Sequence, residues 1–256
     1  MSNAVTAMMM RHWARAALAV VLAVLSGPAL AGACRDTSFD GAAFSVCEVG
    51  AGQDLRLFLN GHDEQALGSF AAVDDLLAPE GRHLIFAMNA GMYRPDRSPV
   101  GLYVENGHQT NGLQRKASSG NFGLQPNGVF CIGADGFQVA ETLAFDAARP
   151  DCRYATQSGP MLVIGGKLHP KFMAGAPSVN IRNGVGVSAD GRTAFFVISD
   201  DLVNFDLFAR FFRDGLGVPN ALFLDGTISR LYAPELGRDD FGFPMGPIVG
   251  LVGAPG

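Results

Sequence analysis

Residues 128–141 read GVFCIGADGFQVAE, from Gly128 to Glu141. The apolar runs Gly128–Ile132 and Phe137–Glu141 flank Gly133-Ala134-Asp135-Gly136. Glycine accepts a positive φ and aspartate bonds its own backbone, so this segment is a turn between two short strands. The device recurs outward along the chain. Val100–Glu105 runs into Asn106-Gly107, a two-residue hairpin turn. Met161–Ile164 and Lys167–Leu168 flank Gly165-Gly166, and Val185–Ser188 and Thr193–Ile198 flank Ala189-Asp190-Gly191. Phe44–Val49, Asp54–Leu59 and the apolar run His83–Met88 read as further strands. Such a series predicts a largely antiparallel or mixed sheet.

Two segments have helical spacing. From Asp63 to Leu77, Ala66, Phe70, Val73, Leu76 and Leu77 recur at intervals of three to four, and Gly81 closes the run. Asn204 caps a second helix reaching Asp214, where Phe205, Phe208, Phe211 and Phe212 form a core-facing stripe. This helix joins the strands Thr193–Ile198 and Ala221–Leu224, which predicts a parallel pair with a right-handed crossover. The fold class expected is α+β (mixed α/β): a largely antiparallel or mixed sheet core, packed helices and a C-terminal strand–helix–strand unit.

The start of the chain has the grammar of an export signal. Arg11 and Arg15 precede the uncharged run Ala16–Leu25, Gly27-Pro28 breaks it, and Ala29-Leu30-Ala31 offers small residues to a peptidase. Residues 1–31 are therefore expected to be a signal peptide and 32–256 a single periplasmic or secreted domain without a stable membrane span. The cysteines Cys34, Cys47, Cys131 and Cys152 all follow the expected cleavage point. Their even number suits an oxidising compartment. Three pairings are open; Cys34–Cys47 and Cys131–Cys152 are favoured because each pair flanks one short excursion.

Composition excludes several functions. A net charge of −5 does not suit general nucleic-acid binding, which needs a basic face. The lone tryptophan, Trp13, lies in the signal, so the mature chain has no tryptophan platform for sugars. His62, His83, His108 and His169 lack metal-ligand spacing, as do the cysteines, and no metal site or cofactor is implied. Phosphate loops, serine elbows and dinucleotide fingerprints are missing as well.

Polar residues meet glycines at three strand ends: Asn89-Ala90-Gly91-Met92-Tyr93, Gln157-Ser158-Gly159-Pro160 with Asn180-Ile181-Arg182-Asn183-Gly184 beyond it, and Leu224-Asp225-Gly226-Thr227-Ile228-Ser229. Strand ends hold side chains rigidly while loops admit ligand. In this order the segments resemble the phosphodiester glycosidase family, which includes the lysosomal enzyme that removes N-acetylglucosamine from a mannose 6-phosphate diester. The family's Asn-Gly-Gly-Phe-Phe corresponds to Asn89–Tyr93, its Ser-Gly-Pro to Ser158–Pro160, its Arg-Thr-Ala-x-Gly to Arg182–Gly186, and its Leu-Asp-Gly-Gly-Gly-Ser to Leu224–Ser229. Ala90, Asn183 and Thr227-Ile228 depart from the pattern, as in a divergent bacterial branch.

The resemblance implies a hydrolase of glycosyl-phosphodiester or related glycoconjugate bonds, with a carbohydrate or glycosyl-phosphate as substrate. Arg182 is then the expected phosphate clamp, since guanidinium presents forked, permanently charged donors. Asp225 is the expected acid, base or nucleophile at the anomeric carbon. A second carboxylate would come from Glu48, Glu105, Glu141, Asp200 or Asp201. Asn89, Asn127, Ser158, Gly159, Asn180, Gly226 and Ser229 are expected to bind substrate. The alternative is a non-catalytic periplasmic glycan-binding or envelope and exopolysaccharide assembly protein that keeps the fold without the chemistry.

Overall fold

The computed structural model describes residues 34–254. The expected signal peptide and its cleavage point lie outside these residues.

Three antiparallel sheets share one core. The largest has seven strands, in the order Cys34–Phe39, Ala42–Gly50, Thr193–Ser199, Asn183–Val187, Asn220–Asp225, Met161–Ile164 and Lys167–Leu168. A second sheet orders Arg238–Asp239, Leu231–Ala233, Leu84–Asn89, Ile248–Val252 and Leu55–Phe58. The third orders His108–Asn111, Tyr103–Glu105, Tyr154–Ser158, Gly128–Ile132 and Phe137–Glu141. Alternation along each strand sends every second residue to the shared core. Phe196 of the first sheet illustrates it: its ring lies 5.5 Å from Phe86 of the second and 5.6 Å from Phe130 of the third.

The other face of each sheet carries a helix. Phe208 and Phe212 pack with Phe44, Val197 and Phe223 outside the large sheet. Glycines allow that close approach, because a Cβ on Gly186 would sit 2.8 Å from the Phe212 ring. Phe70, Val73 and Leu77 cover the second sheet, and Phe145 covers the third.

The hairpins expected at residues 128–141, 161–168 and 185–198 form with the pairing anticipated. So does the hairpin through Asn106 and Gly107, whose φ angles of 51° and 77° are those of a tight primed turn. Asn204 caps its helix, its side chain accepting from the Leu207 amide at 2.9 Å. That helix, Phe205–Arg210, passes into a wider turn over Phe211–Gly215. Both disulfides pair as favoured, with Cα separations of 4.0 Å for Cys34–Cys47 and 5.6 Å for Cys131–Cys152. Each bridge staples neighbouring core segments, as suits an extracytoplasmic protein.

Three details differ from expectation. Thr193–Ser199 and Asn220–Asp225 do run parallel to each other, but Asn183–Val187 lies between them, antiparallel to both. The crossover therefore skips one strand. The first helix begins only at Phe70, because Gly68 holds a φ of 71° and the Ser69 side chain caps the Ala72 amide. Finally, Thr142–Ala148 is a short helix that the sequence reading lacked, capped by the Glu141 carboxylate. Among the described residues no helix is long and apolar enough to cross a membrane.

Candidate active site

The three sheets meet at the strand ends that carry the polar motifs. Asn183 and Asp225 are cross-strand partners in the large sheet, and Asn89 ends the central strand of the second. The two asparagine side chains bond each other, Asn89 Nδ2 to Asn183 Oδ1 at 3.2 Å and Asn183 Nδ2 to Asn89 Oδ1 at 3.1 Å. Both are fully buried, so the pair seals a polar joint between two sheets. Ser158, at the end of a third-sheet strand, donates to the Leu224 carbonyl at 3.0 Å. Asn89, Ser158, Asn183 and Asp225 thus gather at one junction although they lie far apart in sequence.

Asp225 is held in a defined pose. Its Oδ1 accepts from the amides of Gly226 at 2.6 Å, Thr227 at 2.8 Å and Ile228 at 3.4 Å. Its own amide donates to Asn183 Oδ1 at 2.9 Å. Oδ2 accepts nothing from the described residues. Only His169 Nε2 and Arg182 Nη1 are sealed, unpartnered side-chain atoms among these residues, so Asp225 Oδ2 keeps contact with solvent. Burial pushes the carboxyl above its ordinary pKa, and the three amides offset part of that rise. Nearby, burial and then the Asp225 carboxylate raise the Tyr93 phenol, while Arg97 and Arg230 lower it, which puts these groups within electrostatic reach.

Beside the junction opens a cavity of about 700 Å³. Asn180, Gly226 and Ser229 line it, together with Asp200, Arg230, Arg238 and the segment 239–243. Ser229 Oγ donates to the Asp225 carbonyl at 2.9 Å and so closes the turn. Arg238 is already engaged: it binds Asp200, Asp240 and Ser45 Oγ. Of the five carboxylates proposed as Asp225's companion, only Asp200 lines this cavity. Glu48 pairs with Arg35, Glu105 accepts from the Tyr103 hydroxyl, Glu141 caps a helix, and Asp201 accepts from the Ala43 amide.

Asn89 and Ser158 are fully buried, neither they nor Asp225 is part of the cavity's lining, and the remaining expected residues also sit behind its wall. Asn127 bonds the Phe122 carbonyl at 2.9 Å and the Thr142 hydroxyl at 2.8 Å, a structural tie. A Cβ on Gly159 would lie 2.6 Å from that of Asn127, so packing alone requires glycine there. Arg182 has no exposure. Its guanidinium stacks 3.7 Å over Phe205, with Nε donating to Val203 O and Nη2 to Ser178 O. Burial brings its pKa down to about 10, so it stays charged at neutral pH. The unpartnered Nη1 faces the Gly226 turn, where a Cβ would be 3.6 Å away.

Two residues of the site were absent from the sequence reading. Asn183 stood there only as a departure from the threonine of a motif. Arg230 follows the last motif directly, and nothing local distinguishes it from any surface arginine.

The same ordered motifs now have a spatial meaning, and comparison with known proteins agrees with it. Residues 82–239 match the phosphodiester glycosidase family. The chain belongs to that family. The uncharacterized protein YigE of Escherichia coli (strain K12) is 40% identical over 146 residues, which is 57% of this chain and 57% of YigE. The matched stretch thus spans little more than half the length of that relative. Among solved structures, the zebrafish N-acetylglucosamine-1-phosphodiester alpha-N-acetylglucosaminidase catalytic domain, auto-inhibited by its pro-peptide, is similar at a TM-score of 0.55 and 16% identity, over 85% of this chain and 81% of that one. A hypothetical protein from Synechocystis is similar at 0.51 and 17%, over 86% and 61%. Identities this low carry the fold alone; family membership rests on the sequence match.

Proposed function

We propose that this phosphodiester glycosidase is an exported hydrolase of glycosyl phosphodiesters and that Asp225 is its catalytic acid. One observation carries the reading: a carboxyl with Oδ1 fixed by three amides, Oδ2 open, and a pKa raised by burial. A carboxyl of that kind retains its proton nearer to neutrality and donates it to the glycosidic oxygen as the anomeric C–O bond breaks. Asp200, on the cavity wall, is the companion carboxylate in this scheme. Asn180 and Ser229 offer hydrogen bonds to the sugar. Arg182 works from behind, fixing the backbone of Ser178 and Val203 and backing the Gly226 turn.

Export is supported by the signal-like start and the two disulfides. Protein that stays in the cytoplasm with Met1 through Leu25 retained would sink that part.

The catalytic part is tested on purified protein with a panel of sugar 1-phosphodiesters. Asp225→Asn, which can still accept the three amides, is expected to lose about 10²–10⁴-fold in rate while remaining folded. One feature favours the second reading, a glycan binder without turnover. Oδ1 of Asp225 accepts from the amides that follow it, the structural role of an ordinary Asx turn. No turnover of any diester would support the binder, and turnover at equal rates in wild type and Asp225→Asn would remove Asp225 from the catalytic role.

A further inference from the structure

We infer that Arg230 is the anion-binding residue of the cavity and that Phe241 and Phe243 carry the organic part of an organic phosphate bound there. This rests on the reading of the cavity as the substrate site.

Arg230 is unusual among the arginines. It is only 8% exposed, yet its guanidinium makes no hydrogen bond or ion pair with the described residues; its one bond there is from the backbone amide to Asn89 Oδ1 at 2.9 Å. It lines the cavity, and none of its nitrogens is among the sealed atoms, so its donors stay accessible. Arg238, the other arginine of that wall, is neutralised by Asp200 and Asp240. A guanidinium has five N–H donors and no acceptor capacity. Burying most of it without an anion is costly, and a phosphate oxygen pair matches its fork.

The chain is also shaped around this group. Gly242 lies across the guanidinium, where a Cβ would fall 2.5 Å from Nη2 and 2.9 Å from Cζ. A side chain there would push the guanidinium aside, and the φ of 152° itself favours glycine. The residues on either side of it, Phe241 and Phe243, are 95% and 76% exposed and both line the cavity. Two unpacked phenylalanines beside one unpaired cation form a mouth with an ionic floor and an apolar rim. That chemistry suits a phosphate ester whose organic group lies flat against an aromatic ring. The rim lies just beyond residue 239, where the family match ends.

Binding to the purified exported protein, measured by calorimetry with inorganic phosphate and with phenyl phosphate, tests the inference without using turnover. Arg230→Gln is expected to weaken both probes by about ten- to a hundredfold. Gly242→Ala, which keeps the arginine but displaces it, is expected to weaken both as well, so a folding defect in one variant does not decide the matter. Phenyl phosphate should bind wild type about two- to tenfold tighter than inorganic phosphate, and Phe241→Ala/Phe243→Ala should erase that difference alone. Undiminished phosphate binding in Arg230→Gln, no binding to wild type, or equal affinity of the two probes for wild type would overturn it. Phosphate binding lost in Arg230→Gln, in a protein that hydrolyses no diester, would support the anion site while contradicting the hydrolase.

Discussion

Arg182 packs against the Asp225–Ser229 turn and Arg230 follows that turn in the chain, and they differ in almost every physical respect. Arg182 belongs to a family motif, is stacked on Phe205 and is bonded to two carbonyls with no exposure. Arg230 lies outside the motif, has no protein acceptor among the described residues, and opens to the cavity. The first is built into the packing as a cationic strut; the second is left with its donors free. Motif membership therefore does not decide which cation meets a ligand. What decides it is where the guanidinium's hydrogen bonds go.

That contrast predicts opposite responses to the same change. Arg182→Met should destabilise the fold by about 4 kcal/mol, because two buried carbonyls lose a charged donor and the Phe205 stack is lost. Arg230→Met should leave stability unchanged or raise it, because it removes a mostly buried cation that has no protein partner among the described residues. Urea unfolding of the two variants checks the pair, and similar losses in both would erase the distinction. The bridge Cys131–Cys152 lies between these extremes. It closes 21 residues, and its replacement by two serines should cost about 3 kcal/mol.

A smaller effect concerns pH. The folded-state pKa of Asp225 is raised above its ordinary value of 3.8. The stability its protonated form contributes is complete below the unfolded pKa and is lost as pH rises through the folded one. Asp225→Asn escapes that loss. The variant's stability relative to wild type should therefore climb from about pH 3.8 upward and level off above the raised pKa. Thermal unfolding across pH 3 to 8 reads the curve, and a relative stability that falls with pH would reverse the sign.

Much of the fold was legible because its signals are local. A hairpin is written in two runs and a turn, and the Asn204 cap lies beside the helix it starts. Where a signal depends on what lies across the molecule, the sequence was silent. The helix over 63–77 shortened because Gly68 takes a left-handed φ that the spacing of Ala66 does not register. The crossover skipped a strand because Asn183–Val187, earlier in the chain, had already occupied the middle position. At the site, Asn89, Ser158 and Asp225 were visible as polar groups at glycine-flanked strand ends. Asn183 and Arg230 became visible only through Asn89, which bonds the first across sheets and the second from the neighbouring strand.

The central claim is that Asp225 supplies the proton for glycosyl-phosphodiester cleavage. The most direct measurement is the rate of sugar release from a sugar 1-phosphodiester by wild type and Asp225→Asn across a pH series. Wild type should lose activity as pH rises through the raised pKa of Asp225, and the variant should be about 10²–10⁴-fold slower and without that limb. A variant that matches wild type in rate and pH profile would contradict the claim.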